Sequence, residues 1–219
     1  MTRTFKVVMA AVAAAAMVGM TGCQVEVGTG AGEEGTGATA EPGTGAADAA
    51  ARLEELTVAK AGSMSGYSRE KFPHWRDTGE NCDMRDTILQ RDAEDVKLSG
   101  CNVTDGRWYS VYDGQTYDDP SKVDIDHMVP LANAWRSGAS RWTNEQRGDF
   151  ANDDERPQLI AVSASQNRAK GDQDPSTWKP TVKDYWCRYA QDWITVKHYW
   201  KLSVTSAEKE ALGDMLATC

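Results

Sequence analysis

Beyond residue 66 the apolar positions fall into short blocks whose spacing switches between helical and strand-like periods. Met84, Ile88 and Leu89 give helical spacing across Cys82–Arg91. From Val96 to Tyr117 the pattern alternates and is broken at Ser99-Gly100, Asp105-Gly106 and Asp113-Gly114. That pattern predicts two or three short antiparallel strands. Another strand is predicted over Asp124–Val129, ended by Pro130, and a fourth apolar stretch over Gln158–Ser163. Thr143-x-x-Gln146 reads as a capping box opening a helix to about Asn152, and a polar helix or turn follows at residues 165–172. In Pro180–Trp200, the clearest helix, Val182, Tyr185, Tyr189, Trp193, Val196 and Trp200 recur at three- and four-residue steps. We read that stripe as core packing. Thr205-x-x-Glu208 opens a last helix towards Cys219, and an early helical stretch covers Ala49–Lys60. The whole is an α+β pattern with small antiparallel sheets and C-terminal helices.

The first residues read as targeting sequence. Arg3 and Lys6 precede an apolar run from Val7 to Met20, long enough for a signal segment and short for a membrane helix. The run ends in Met20-Thr21-Gly22-Cys23, which resembles a bacterial lipobox with Cys23 as the lipidated residue. Residues 24 to about 50 are Gly, Ala, Thr and Glu without an aromatic, a composition that suits a flexible tether. The expected organisation is a lipoprotein-type signal peptide at 1–22, a tether at 23–52 and one folded domain at 53–219. The chain would then face outward from a cell membrane, or be secreted.

Cysteine count fits export. With Cys23 set aside, Cys82, Cys101, Cys187 and Cys219 form an even set, as expected in an oxidising compartment. Four cysteines allow three connectivities; Cys82–Cys101 and Cys187–Cys219 are favoured because each closes a short local loop. The absence of C-x-x-C excludes a zinc ribbon or thioredoxin-type site. Eight Trp and seven Tyr against three Phe indicate a core of large rings with polar handles. The formal net charge of −9 argues against nucleic-acid binding by bulk charge. An acidic chain needs a bound cation and a local basic patch for that purpose.

The chemistry gathers in Asp124-Ile125-Asp126-His127-Met128-Val129-Pro130-Leu131, followed much later by Gln158 to Lys170 with Asn167-Arg168-Ala169-Lys170 at its end. Asp-His-x-x-Pro followed by Asn-Arg-x-Lys resembles the HNH endonuclease family, including the HNH domain of RNA-guided nucleases. The wider stretch, from Tyr67-x-Arg69 and Cys82-x-x-Arg85 to Lys170-Gly171-Asp172, is similar to exported actinobacterial HNH-family or restriction-endonuclease C-terminal-like proteins. This resemblance implies a ββα-metal (His-Me finger) core, stapled by disulfides. It also implies an endonuclease that hydrolyses phosphodiester bonds of DNA, with RNA left open.

Within that resemblance His127 is the general base, a role suited to an imidazole titrating near neutrality. Asp126 and the Asn167 amide oxygen are metal ligands. Two oxygen donors completed by water suit Mg²⁺ or Mn²⁺. The Asn that usually orients the catalytic His falls at Gln158 on the family spacing, with Asn152 nearby. Arg168 and Lys170 are candidate phosphate contacts. Asp124 and Asp172 read as turn or supporting residues, and His74 and His198 as structural. Arg69, Arg85 and Arg91 could serve either phosphate or neighbouring acids. Nucleic acid is the expected partner, with membrane contact through the lipid anchor. The alternative reading is a non-catalytic envelope lipoprotein using the same scaffold to bind a partner, motivated by the acidic charge and by Gln158.

Overall fold

A computed structural model describes residues 42–219. The signal-type segment, Cys23 and most of the tether lie outside the described residues. In chain order the elements are α1 (Pro42–Glu55), β1 (Asp77–Gly79), β2 (Cys82–Asp83), α2 (Met84–Asp92), β3 (Val96–Ser99) and β4 (Asn102–Gly106). Next come β5 (Trp108–Ser110), β6 (Gln115–Tyr117), β7 (Val123–His127), α3 (Leu131–Arg136) and α4 (Asn144–Ala151). The chain closes with β8 (Leu159–Ser163), α5 (Ala164–Lys170), α6 (Trp186–Tyr199) and α7 (Ser206–Leu216). The fold is mixed α and β, with four two-stranded antiparallel sheets among the described residues.

Local signals explain most boundaries. Capping boxes at Asp83/Asp86, Thr143/Gln146 and Thr205/Glu208 open α2, α4 and α7 by satisfying amides that lack intrahelical partners. Gly100 and Gly114 take positive φ at the β3–β4 and β5–β6 turns. Asp105-Gly106, expected to turn, instead ends β4. A Cβ on Gly106 would run into the Trp108 ring and the Asp95 carbonyl, so the position needs glycine for close approach. Helix α1 begins at Pro42, inside the stretch read as tether. Its Ala49 and Leu53, with Leu56 just beyond, are buried in the main core, and α1 packs on α6 and α7. Apolar anchors spaced three and four apart thus hold an Ala-rich segment that composition alone assigns to solvent.

The β7–β8 hairpin lies between two cores. Alternate strand residues face opposite sides. Val123 and Ile125 of β7, with Leu159 and Ala161 of β8, pack on Met84, Ile88 and Leu89 of α2 and on Trp108. Val162 belongs to the second and larger core, with Tyr112, Met128, Trp135, Tyr189 and Trp193. The outer edge of β8 is closed by side chains: Asp92 accepts from the Ala161 amide at 2.8 Å, and Arg91 donates to the Leu159 carbonyl at 2.7 Å. Arg91 is therefore spent on structure. Cys82 is bonded to Cys101 and Cys187 to Cys219, the second bridge tying the C-terminus to α6. No described helix is long and apolar enough to cross a membrane.

Candidate functional site

Strand β7 presents its two acids to α5. Antiparallel pairing sets Asp124 opposite Val162 and Asp126 opposite Ile160, and α5 follows β8 directly. Asn167 and Lys170 are one helical turn apart and share a face of α5. The Asn167 amide nitrogen donates to Asp124 Oδ2 at 3.2 Å, while Lys170 Nζ donates to Asp126 Oδ2 at 2.6 Å. Gly171, at φ 55°, ends the helix immediately afterwards.

Asp126 is 4% exposed and Lys170 fully buried. The Tyr112 hydroxyl also donates to Asp126 Oδ2, at 2.6 Å. Lys170 gives its remaining donors to the carbonyls of His127 and Met128, at 2.8 and 2.9 Å. All three donors are used, so none is left for a phosphate in this arrangement. Burial raises the Asp126 carboxyl and lowers the Lys170 ammonium, and each is held back by the other's charge. Among the described residues, no hydrogen bond reaches Asp126 Oδ1 or Asn167 Oδ1. Nor do three His, Cys, Asp or Glu side chains converge as a metal cluster there. The hard donors on offer among the described residues are the free carboxylate oxygens of Asp124 and Asp126 and the Asn167 carboxamide oxygen.

His127 projects from the opposite face of β7, as strand alternation requires. Its Nε2 lies 2.9 Å from the Ala151 carbonyl at the end of α4. A carbonyl only accepts, so Nε2 carries the proton and Nδ1 keeps its lone pair. The ring is 5% exposed and lies under Trp75, with centroids 5.7 Å apart and His74 at 6.5 Å. Burial pushes the imidazole down to about 3. Trp75 holds φ 59°, a costly conformation for a bulky residue.

Gln158 serves the backbone: its amide both accepts from and donates to Val129, at 3.0 Å each way. The carbonyl of Ala151 is the group that fixes the imidazole. Neighbouring Asn152 accepts from the Arg76 amide and donates to the carbonyls of Pro73 and Gly148, pinning the Trp75-bearing segment to α4. Arg168 is exposed, 3.7 Å from Asp124. Arg85 reaches the Val123 carbonyl, and His198 pairs with Glu55 far from this site. Tyr112, Trp75 and Ala151 belong to the site without any sequence signal of their own. Nothing in their spacing marks them.

The site thus comprises a buried acid–ammonium pair, an Asn167 amide held by the neighbouring acid Asp124, and a neutral imidazole oriented by a carbonyl of α4. The chain belongs to the family described as the C-terminal domain of GmrSD restriction endonucleases, whose model matches residues 80–215. That family is nuclease-type. Among curated proteins the chain is similar to an "Uncharacterized secreted protein" of Arthroderma benhamiae (strain ATCC MYA-4681 / CBS 112371). The two are 54% identical over 175 residues, covering 80% of this chain and 86% of the relative. No solved structure matches.

Proposed function

We propose that this protein is an exported, divalent-metal-dependent endonuclease of the HNH type, acting on DNA through a ββα-metal core made of β7, β8 and α5. The observation that carries the reading is the pairing of hairpin and helix: α5 lays Asn167 and Lys170 along Asp124 and Asp126. Asp126 Oδ1 and Asn167 Oδ1 would be the donors to a hard cation such as Mg²⁺ or Mn²⁺, being oxygens with no hydrogen-bond partner among the described residues. When bound, such an ion supplies positive charge to the phosphoryl and leaving oxygens.

The chain's own residues supply the remainder. His127 Nδ1 takes a proton from water while Nε2–H holds to Ala151, so the ring cannot rotate away from the task. Asn152 fixes that carbonyl's end of α4. A base at about 3 is weak, and its cause is burial under Trp75. Lifting the indole and bringing phosphate charge nearby both move the imidazole upward, towards working pH. The Lys170 ammonium favours the charged form of Asp126 against the effect of burial and locks the backbone turn after His127. The products carry 5′-phosphate and 3′-hydroxyl ends. Export is supported by the secreted relative, and Cys23 is the proposed lipid attachment point.

Purified full chain should degrade plasmid with Mg²⁺ or Mn²⁺, stop in a chelator, and lose activity in His127→Ala and Asn167→Ala. Undiminished cleavage by His127→Ala would sink the assignment. The burial of both Asp126 and His127 favours a second reading, a partner-binding scaffold without catalysis. Failure to cleave under any divalent ion, with tight metal-independent binding to an envelope component, would select it.

A further inference from the structure

A pocket of about 270 Å³ lies apart from the hairpin site, between the extended segment after α1 and the ends of α3 and α6. Its walls carry Lys60, Arg136, Arg141 and Lys201, together with Ser140 and Gly138, and no carboxylate lines it. In a chain of net charge −9 that concentration of cations is against the trend. Among the described residues only Arg136 has a carboxylate partner, Asp172. Lys60, Arg141 and Lys201 are exposed and free of ion pairs there. A larger cleft of about 490 Å³ beside β8 differs. It also holds three arginines, Arg91, Arg156 and Arg188, but each is already paired with an acid.

The fold builds this cluster from distant segments. The strap at residues 57–62 is pinned by hydrogen bonds from the Ala59 amide to the Val204 carbonyl and from the Gly62 amide to the Arg136 carbonyl. A Cβ on Gly62 would stand 2.9 Å from that carbonyl, so the strap's close approach depends on glycine. Lys201 enters from a left-handed position, φ 51°, that ends α6. Three uncompensated cations on one pocket, beside the paired Arg136, cost free energy through mutual repulsion, which an anionic ligand relieves.

We infer that this pocket is a phosphate-backbone subsite for the nucleic-acid strand, outside the cleavage centre. The inference rests on the nuclease reading above and adds where an acidic chain grips its substrate. The link between the two is Asp172. It follows Lys170 by two residues and is bonded to Arg136 on the pocket wall, so α5 ends at both. Loose contacts of this kind position a strand without reading its sequence.

The test uses the full chain and a fluorescein-labelled 20-base-pair duplex in a chelator, with anisotropy followed against salt. The variant is Lys60→Gln/Arg141→Gln/Lys201→Gln. Its control, Lys97→Gln/Arg107→Gln/Lys209→Gln, removes the same charge elsewhere. Each cation withdrawn from a phosphate should make the log affinity–log salt slope shallower by about 0.9, hence by about 2–3 for the variant. The control should track wild type, and in the cleavage assay the variant should raise KM and keep kcat. Equal behaviour of variant and control overturns the subsite. So does loss of binding to phosphatidylglycerol vesicles with duplex binding unchanged, which would assign the pocket to lipid headgroups. Cleavage by wild type with variant KM unchanged sinks the subsite alone. Salt-sensitive binding through the pocket without cleavage sinks the nuclease reading and keeps the subsite.

Discussion

Lys170 and Asp126 meet at 2.6 Å with both side chains out of solvent, and the ammonium is tied to two carbonyls of the turn that follows His127. The aromatic rings around them matter too. Trp193 has the Lys170 ammonium 5.7 Å from its ring and that of Lys197 at 5.8 Å, and its indole N–H donates to Glu208, the partner of Lys197. Helix α6 therefore packs one indole between two buried ion pairs, one belonging to the candidate site and one to the α6–α7 junction.

Removing one partner of such a pair strands the other charge in a dry interior. Lys170→Met should cost about 3–5 kcal/mol by urea unfolding. The double variant Asp126→Asn/Lys170→Met should recover part of that loss, because no bare charge is left behind. A Lys170→Met protein within about 1 kcal/mol of wild type would show that the pair is not held as described.

Asp124 is predicted to act through Asn167. It accepts from the Asn167 nitrogen and so turns the amide oxygen to a fixed side. Asp124→Ala should weaken Mn²⁺ binding about 10–100-fold, the usual cost of losing a group that orients a metal ligand. The partly exposed side chain predicts a stability change of about 1 kcal/mol or less. Calorimetric titration of Mn²⁺ into both proteins is the check; equal affinities would remove Asp124 from the site.

Much of this is legible in the chain itself. The β7 and β8 strands, the capping boxes of α4 and α7 and the aromatic stripe of α6 follow from period and cap chemistry, which are local. The strand, strand, helix order also lays Asn167 and Lys170 against the acids of β7, while His127 stands on the opposite face against Ala151. Side-chain partnership across long separations is not legible. Tyr112 and Lys170 converge on Asp126 from a hairpin and a helix whose relative position no spacing encodes. Trp75 covers His127 from a segment with neither helical nor strand period. Gln158, expected to orient the imidazole, instead gives both ends of its amide to the Val129 backbone, a partnership that spacing does not encode. The start of α1 is hidden because Ala and Gly composition resembles a tether until Leu53 and Leu56 find a core.

The two bridges should differ modestly in worth. Chain-entropy loss for separations of 19 and 32 residues corresponds to about 3.2 and about 3.7 kcal/mol. Cys187→Ser/Cys219→Ser should lower the thermal midpoint more than Cys82→Ser/Cys101→Ser, measured at one scan rate. The reverse order would mean that the α6 tether constrains little in the unfolded chain.

Burial of His127 has a signed consequence for acid stability. Its imidazole is held at about 3 in the folded protein, below its ordinary value of 6.5, so between those values the unfolded chain binds the extra proton. Stability from this group is therefore complete above about pH 6.5 and falls as pH drops towards 3, by about 1.4 kcal/mol per pH unit. Asp192, pushed up to about 6 by burial, works in the opposite sense, because there the folded state holds the proton. The informative quantity is consequently the difference between wild type and His127→Gln, which isolates the imidazole. That difference should shrink steadily from about pH 6.5 to about pH 4 as wild type loses its advantage. Trp75→Ala supplies the complementary test: opening the ring to water should raise the His127 titration, followed by NMR at its Cε1 proton, by about 1 unit or more. A flat wild-type-minus-variant difference together with an unmoved resonance would mean that the indole does not seal the imidazole, and the gating role given to Trp75 would go with it.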